Sequence, residues 1–124
     1  SDHGIDSVLL RGHCDAAVYD PDRVQSWMAS VLWEASAGGV YRCKGLFRGL
    51  PPEGEGEGGG GGGAGPPGAA AYALQGVGKL FDVEAVPHVP APARNRFLFI
   101  GRELRAEALE AGLRGCCVRE GPPC

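Results

Sequence analysis

The apolar positions of this chain follow two different periods, which together predict a sheet and two helices. The clearest run is Phe97–Ile100, which has a basic lead-in from Arg94 and a stop at Gly101. A strand that is apolar on both faces needs cover on both sides, so this segment is expected to lie inside a sheet. The shorter β-prone runs that predict its neighbours cover residues 5–11, 40–47, 71–77 and 79–86.

Two other segments carry the helical period. Asp20-Pro21 favours a helix start, because aspartate accepts free amide hydrogens and proline suits the first helical position. The apolar residues that follow are spaced as one buried stripe of a helix ending near Ala35: Val24, Trp27, Met28, Val31 and Leu32. A second helix is expected over about 106–116, although Arg105 is a poor N-cap for it.

This order of elements predicts an α+β fold. We expect a two-layer α/β sandwich, with a largely antiparallel sheet of four to five strands and both helices on one face. Of the 124 residues, 22 are glycine and 10 are proline, and they concentrate in the segment 51–68. That composition favours a flexible insertion within one domain spanning residues 1–118, followed by a disordered tail at 119–124.

Charge and composition exclude several classes of protein. A formal net charge of -3 argues against general binding to nucleic acids or to membrane surfaces. No apolar run reaches the roughly 20 residues needed to cross a bilayer, and Ser1 begins no signal-peptide pattern. Five cysteines without a regular framework favour a reducing compartment, so an intracellular, cytoplasmic location is expected.

No catalytic constellation is evident. Gly76-Val77-Gly78-Lys79 suggests a phosphate loop, but Ala73 stands where the first glycine is needed and Leu80 where serine or threonine is needed. Cys14 lies beside His13, but adjacency alone does not aim a base at a nucleophile. We therefore expect no enzymatic activity and no bound cofactor from this chain alone.

The cysteines near the C-terminus leave two interpretations open. Cys116 and Cys117, with Cys124, have neither Cys-x-x-Cys nor His-x3-His spacing, so a normal zinc site is not predicted. They are either a cysteine pair at a helix end or a weak thiol site, since vicinal thiols capture soft metals.

A further candidate site lies on the sheet. Arg42, Lys44 and Gln75 are expected on the face opposite Tyr41 and Phe47, which the helices leave uncovered. That face is either a solvated basic surface or an interface for another domain or protein. A basic sheet face also allows RNA binding, but the aromatic motif of RNA-binding sheets is absent and the net charge is negative.

Four short motifs in order resemble the C-terminal domain of the CobW family, which comprises metallochaperone GTPases of the CobW/HypB/UreG type. They are Leu32-Trp33, Arg42-Cys43-Lys44-Gly45, Gln75-Gly76-Val77 and Phe99-Ile100-Gly101-Arg102-Glu103-Leu104. The resemblance extends over nearly the whole chain, from about His3 to Cys117. The insertion at 51–68 and Arg105, where the family often has a capping aspartate, depart from the pattern.

The resemblance implies an interaction or regulatory domain without chemistry of its own. In the family, an N-terminal P-loop domain binds GTP with Mg²⁺ and carries zinc or cobalt to a client metalloenzyme or into cofactor assembly of the cobalamin type. The implied partners are therefore that GTPase domain and a client metalloprotein, while membranes and nucleic acids are not expected. The family's phosphate loop and its Cys-x-Cys-Cys metal motif are absent from this sequence.

Overall fold

The computed structural model describes residues 5–11, 17–52 and 69–118, which form a five-stranded sheet and two helices. The strands are β1 (Ile5–Leu10), β2 (Gly39–Gly49), β3 (Ala70–Val77), β4 (Leu80–Pro90) and β5 (Arg96–Arg102), and the helices are α1 (Pro21–Trp33) and α2 (Ala106–Arg114). The predicted tail and residues 53–68 of the predicted insertion lie outside the described residues, so both stay predictions.

The sheet is antiparallel throughout, in the order β1-β5-β2-β3-β4. Strand β5 pairs with β1 on one side and β2 on the other, which confirms that the long apolar run lies inside the sheet. Phe97 and Phe99 are fully buried in the core, whereas Leu98 and Ile100 are half-buried on the opposite face.

Both helices cover the same face of the sheet. Helix α1 begins where it was predicted, because the Asp20 side chain accepts a hydrogen bond from the Asp22 amide at 2.9 Å and Pro21 occupies the first turn. The residues of the shared core come from both helices and from alternate positions of the strands: Val24, Met28, Val31, Leu109, Leu113, Phe47, Tyr72, Leu74, Phe97 and Phe99. This arrangement confirms the predicted α+β sandwich.

An aromatic cluster ties α1 to the centre of the sheet. The Trp27 ring packs edge-on against Phe97 and Phe99, with centroid distances of 6.1 Å and 5.8 Å. Phe47 stacks on Phe97 at 5.3 Å and on Tyr72 at 5.5 Å. Such pairs each contribute about 0.5–1.5 kcal/mol beyond the burial of their area, so the cluster holds β2, β3 and β5 as one unit.

Two parts of the sheet differ from the sequence prediction. A β-bulge between Val40 and Arg42 leaves Tyr41 as an extra residue, so Tyr41 is 44% exposed instead of facing the core with Phe47. Strand β4 runs on to Pro90, beyond residue 86 where the predicted β-prone run ends. Proline is tolerated there because β4 is an edge strand, and its outer side needs no amide hydrogens.

Candidate interaction surface on the open face of the sheet

Strand alternation divides the family motifs between the two faces of the sheet. In β2, Lys44 is exposed while Gly45 points inward. In β3, Gln75 and Val77 are exposed on either side of the buried Gly76. In β5, Ile100 and Arg102 flank the buried Gly101 in the same way. The motifs therefore place alternate residues on one surface, the open face, which is the sheet face not covered by the helices.

The strand register brings the outward motif residues into contact range of one another. Lys44 is opposite Leu98 of β5 on one side and Gln75 of β3 on the other. In the next row, Arg42 is opposite Ile100 and Val77. Directly opposed residues have Cβ atoms about 4.5–5.5 Å apart, so motifs far apart in sequence form one continuous patch.

A groove of about 770 Å³ lies over this patch. Its lining includes all of the predicted interface residues, Arg42, Lys44 and Gln75, and thus brings them together. The other residues whose side chains line it from the open face are Val77, Leu80, Asp82, Leu98 and Ile100. The groove is an open trough, with walls that alternate between apolar and charged side chains.

The open face carries several exposed apolar side chains. In the groove, Leu80 is 79% exposed and Val77 is 59% exposed, and the two are opposed across β4 and β3. Outside the groove, Leu9, Ile5 and Leu46 on the same face are also exposed. The exposed apolar pair beside Arg42 favours an interaction site at the groove.

The charges of the open face are unevenly distributed. Arg42 and Lys44 lie on the central strand β2, and Arg96 and Arg102 lie on β5. The acidic side chains, Asp82 and Glu84, lie on the edge strand β4, opposite Gln75 and Ala73. The middle of the face is therefore basic, and one edge is acidic.

The inward glycines of the motifs have a packing role. A Cβ atom at Gly45 would lie 2.8 Å from the carbonyl oxygen of Arg96, so a glycine here permits the close approach of the β5 backbone. A Cβ atom at Gly76 would lie 2.8 Å from the Cys43 sulfur. These glycines allow β2, β3 and β5 to pack tightly beneath the groove, and Gly76 is also part of its floor.

Trp33 fixes one end of the groove from behind the sheet. Its indole Nε1–H donates a hydrogen bond of 2.9 Å to the carbonyl oxygen of Lys79, and its ring packs on Phe81 at 5.9 Å. The amide of Gly78 in the same turn donates to the Tyr41 carbonyl oxygen at 2.8 Å. Although Trp33 is 59% exposed, its contacts position the β3–β4 turn that carries Leu80.

The cysteines considered as candidate metal ligands are poorly placed to bind a metal ion. The Cys116 thiol is buried and donates to the Gly112 carbonyl oxygen at 3.4 Å, and burial raises its pKa to about 12. Cys117 is half-buried beside it, and Cys124 lies outside the described residues. Within the described part of the chain, no three His, Cys, Asp or Glu side chains are grouped so that they could hold a metal ion.

Cys43 is buried on the core side of β2, and burial raises its pKa to about 11. The thiol is buried because its sulfur lies next to Gly76 of β3, on the side of the sheet that faces the core. A thiol of this kind stays protonated at neutral pH and acts as a small apolar residue.

We expect the Cys116→Ser/Cys117→Ser variant to bind Zn²⁺ with the same affinity as the wild-type chain. Zinc must displace the thiol proton, and at Cys116 burial and the hydrogen bond to the Gly112 carbonyl oxygen oppose this, with no group of three candidate ligands among the described residues. Isothermal titration with ZnCl₂ at pH 7.4, under reducing conditions, measures this. A loss of affinity of tenfold or more in the double variant would instead establish the thiol site.

Sequence reasoning found the basic centre of the face and missed its apolar sides. Leu98 and Ile100 were assigned to the interior of the sheet, and Leu80 was given no role. The available signal was the apolar residues opposite Arg42 on both neighbouring strands and opposite Lys44 on β5, which can be recognised only once the register is known.

Within the described residues, no helix is long and apolar enough to cross a bilayer. Location in the cell is not addressed by the fold, so the expected cytoplasmic location stays a prediction.

Comparison with known proteins supports the family resemblance. A family model described as the C-terminal domain of the cobalamin synthesis protein CobW matches residues 66–117. Among solved structures, the chain is similar to the Zn(II)-bound YjiA GTPase from E. coli, with a TM-score of 0.60 and 21% identity over 93% of this chain and 30% of that chain. A Zn(II)-bound triple mutant of YjiA GTPase gives a TM-score of 0.59 and 22% identity, over 91% of this chain and 30% of that one.

A search of curated proteins gave no match. At such identities the two solved structures establish the fold alone, and this chain spans less than a third of their length. The family model and the fold together confirm the resemblance read from the sequence: residues 66–117 of this chain match the C-terminal domain of the CobW family.

Proposed function

We propose that this chain is the interaction domain of a CobW-like, GTP-dependent metal chaperone, and that its open face docks a protein partner. The partner would be the P-loop GTPase domain of the same system or the client metalloprotein that receives zinc or cobalt. The observation that carries the proposal is the convergence of the outward motif residues of three strands, led by Arg42, Lys44 and Gln75, on one groove.

The energetics of the face favour docking over a solvated surface. Burying apolar area contributes roughly 25 cal/mol per Å², so covering side chains as exposed as Leu80 and Val77 would add appreciably to binding. The adjacent Arg42 and Lys44 would select a partner surface of opposite charge and speed its association.

We assign the binding of metal and of GTP to the P-loop GTPase domain and not to this chain. The described residues do not fit a zinc or cobalt site, because they contain no group of three candidate ligands and the Cys116 thiol is buried and protonated. The lysine of Gly76-Val77-Gly78-Lys79 lies in the β3–β4 turn with Leu80 after it, and no helix follows to receive a phosphate. We therefore propose that this chain performs no catalysis.

The proposal predicts that Arg42→Glu/Lys44→Glu weakens binding to the P-loop GTPase domain by at least about tenfold. Reversing two charges on the central strand replaces attraction with repulsion at the middle of the interface. The experiment reads the coding sequence upstream of Ser1, expresses any P-loop domain found there as a separate protein, and measures its affinity for this chain with GTP and Mg²⁺ present.

The matched control is Arg105→Glu/Arg114→Glu, which changes the same charge at exposed positions at the two ends of α2, on the opposite side of the sheet. It should leave the affinity within about twofold, because exposed charges outside an interface contribute little. If both variants weaken binding to the P-loop domain equally, the open face is not the docking surface. The wider function is refuted if no P-loop domain is encoded upstream and the chain also fails to bind a client metalloenzyme.

A further inference from the structure

We infer that the groove takes an amphipathic α-helix with an acidic stripe between two apolar flanks, lying along β2. This inference rests on the proposed function and specifies the kind of partner element that the open face recognises. It follows from the order of side chains across the sheet, from the pairing of its backbone and from the distribution of its charges.

One row of side chains across the groove has the order apolar, basic, apolar. In it, Ile100 on β5 and Val77 on β3 flank Arg42 on β2, and Leu80 extends the apolar side beyond Val77. The next row is apolar on the β5 side only: Leu98 lies beside Lys44, and Gln75 and then Asp82 follow on the other side. A partner that covers this surface needs acidic groups along its middle, apolar groups over β5 and over Val77 and Leu80, and a polar or basic group near Asp82.

The width of the groove suits a helix. Neighbouring strands lie about 4.7–4.9 Å apart, so the flanking strands β5 and β3 are about 10 Å from each other across β2. A helix with its side chains is about 10–12 Å in diameter. One helix along β2 can therefore place a central stripe over Arg42 and Lys44 and reach Ile100 on one side and Val77 on the other.

The backbone of the sheet also favours a helix over an extended peptide. Strand β2 is paired on both sides, by β5 and β3, and those strands are paired in turn by β1 and β4. The floor of the groove thus offers no free backbone groups for strand addition, which requires a sheet edge. A helix satisfies its own amide and carbonyl groups, apart from its ends, and can lie on a fully paired face.

The charges of the open face argue against two alternative occupants, RNA and a second copy of this chain. RNA would have to approach Asp82 and Glu84 along β4, which repel phosphates next to the basic centre. A second copy of this chain, apposed face to face about a twofold axis along the groove, would bring the basic centre near its own equivalent. A helix along β2 carries its carboxylates in one stripe over Arg42 and Lys44, two strands away from Asp82 and Glu84 on β4.

The test uses a designed helical probe of about 18 residues, capped at both ends and labelled with a fluorophore. Glutamates occupy one stripe (i, i+4, i+7), and leucines lie on both of its flanks (i+1, i+3, i+8). Fluorescence anisotropy should give saturable binding to the full chain. Backbone amide shifts in NMR spectra should map the probe to β2, β3 and β5 and leave α2 unperturbed.

Reversing the charges of the groove and of the probe tests whether binding depends on the attraction between them. Arg42→Glu/Lys44→Glu should weaken binding of the glutamate probe at least about tenfold, and a probe with lysines in place of the glutamates should bind this variant better than it binds the wild type. Arg105→Glu/Arg114→Glu should behave as the wild type. Both variants must give wild-type thermal unfolding for the comparison to stand.

Several outcomes would overturn the inference. One is equal affinity of the chain for the glutamate and lysine probes, and another is a set of NMR shift changes that maps the probe to the helices. The inference also fails if single-stranded RNA displaces the glutamate probe at a lower concentration than unlabelled probe does, or if the chain associates with itself through the groove. If the P-loop domain binds the open face while the glutamate probe does not, the helix is wrong and the proposed function stands. If neither binds, both fail.

Discussion

Replacing Gly101 by alanine is expected to lower the free energy of unfolding by about 3 kcal/mol, at the upper end of the cost of overpacking a core. A Cβ atom at Gly101 would collide with the carbonyl oxygen of Gly39 and lie 2.8 Å from the Cα atom of Val40. Both obstacles are backbone, so no side-chain rotation relieves them. Strand β2 would have to move away from β5 at the bulge.

Urea unfolding followed by circular dichroism measures this loss, and Gly39→Ala is its matched control. Gly39 lies in the adjacent register position, where a Cβ atom would approach nothing closer than 3.7 Å, the carbonyl oxygen of Arg102. The control should change the free energy of unfolding by less than about 0.5 kcal/mol. Similar midpoints for the two variants would contradict the packing role of Gly101.

The same substitution should affect the open face. Ile100 and Arg102 flank Gly101 and point to the groove side, so a displacement of β5 from β2 shifts the apolar flank relative to Arg42. This explains why a glycine without any exposed atom in the groove belongs to the most diagnostic motif of the chain. Its contribution to function is to fix the spacing of the residues on either side of it.

Local patterns were sufficient to predict the elements and most of the faces. The Asp20-Pro21 start and the i, i+3, i+4 spacing gave α1, and strict alternation put Lys44 and Gln75 outside and Cys43 inside. These features depend on neighbours within a few residues, and a sequence contains them directly. The predicted face of Arg42, Lys44 and Gln75 is confirmed for this reason, while their role in an interface stays a prediction.

Features that depend on pairing between strands could not be predicted. At the bulge, β2 has one residue more than β5, and this extra residue is the exposed Tyr41. The sequence around it contains no feature that predicts an extra residue. The extension of β4 to Pro90 depends on its being an edge strand. The apolar flanks of the groove likewise required knowledge of which residue stands opposite Arg42.

Asn95 is another residue whose importance emerges only from the tertiary structure. Its side chain is fully buried. Its Oδ1 accepts a hydrogen bond from the Arg48 amide at 2.8 Å, and its Nδ2 donates to the Ala17 carbonyl oxygen at 3.2 Å. One amide thus joins the end of β2, the segment before α1 and the start of β5, and the Arg48 side chain adds a bond of 3.1 Å to the Pro92 carbonyl oxygen.

Asn95→Ala is therefore expected to lower the free energy of unfolding by about 3 kcal/mol. Each buried polar group that loses its partner costs about 1–3 kcal/mol, and this change affects both the Arg48 amide and the Ala17 carbonyl. Urea unfolding measures the loss, and Gln75→Ala removes a similar amide from the exposed open face as the control. A shift below 1 kcal/mol for Asn95→Ala would show that the amide is dispensable.

Asn95→Asp tests the same network through pH. A protonated aspartic acid accepts from the Arg48 amide and donates to the Ala17 carbonyl oxygen, whereas a carboxylate can only accept and is penalised by burial. Both effects raise the pKa of this carboxyl in the folded state above its unfolded value of about 3.9. The native state then binds the extra proton, so the variant loses stability as pH rises from about 4 toward the raised pKa. Unfolding midpoints for Asn95→Asp should therefore fall further below wild type at pH 7.5 than at pH 5, and a gap independent of pH would mean that Asn95 does not donate to Ala17.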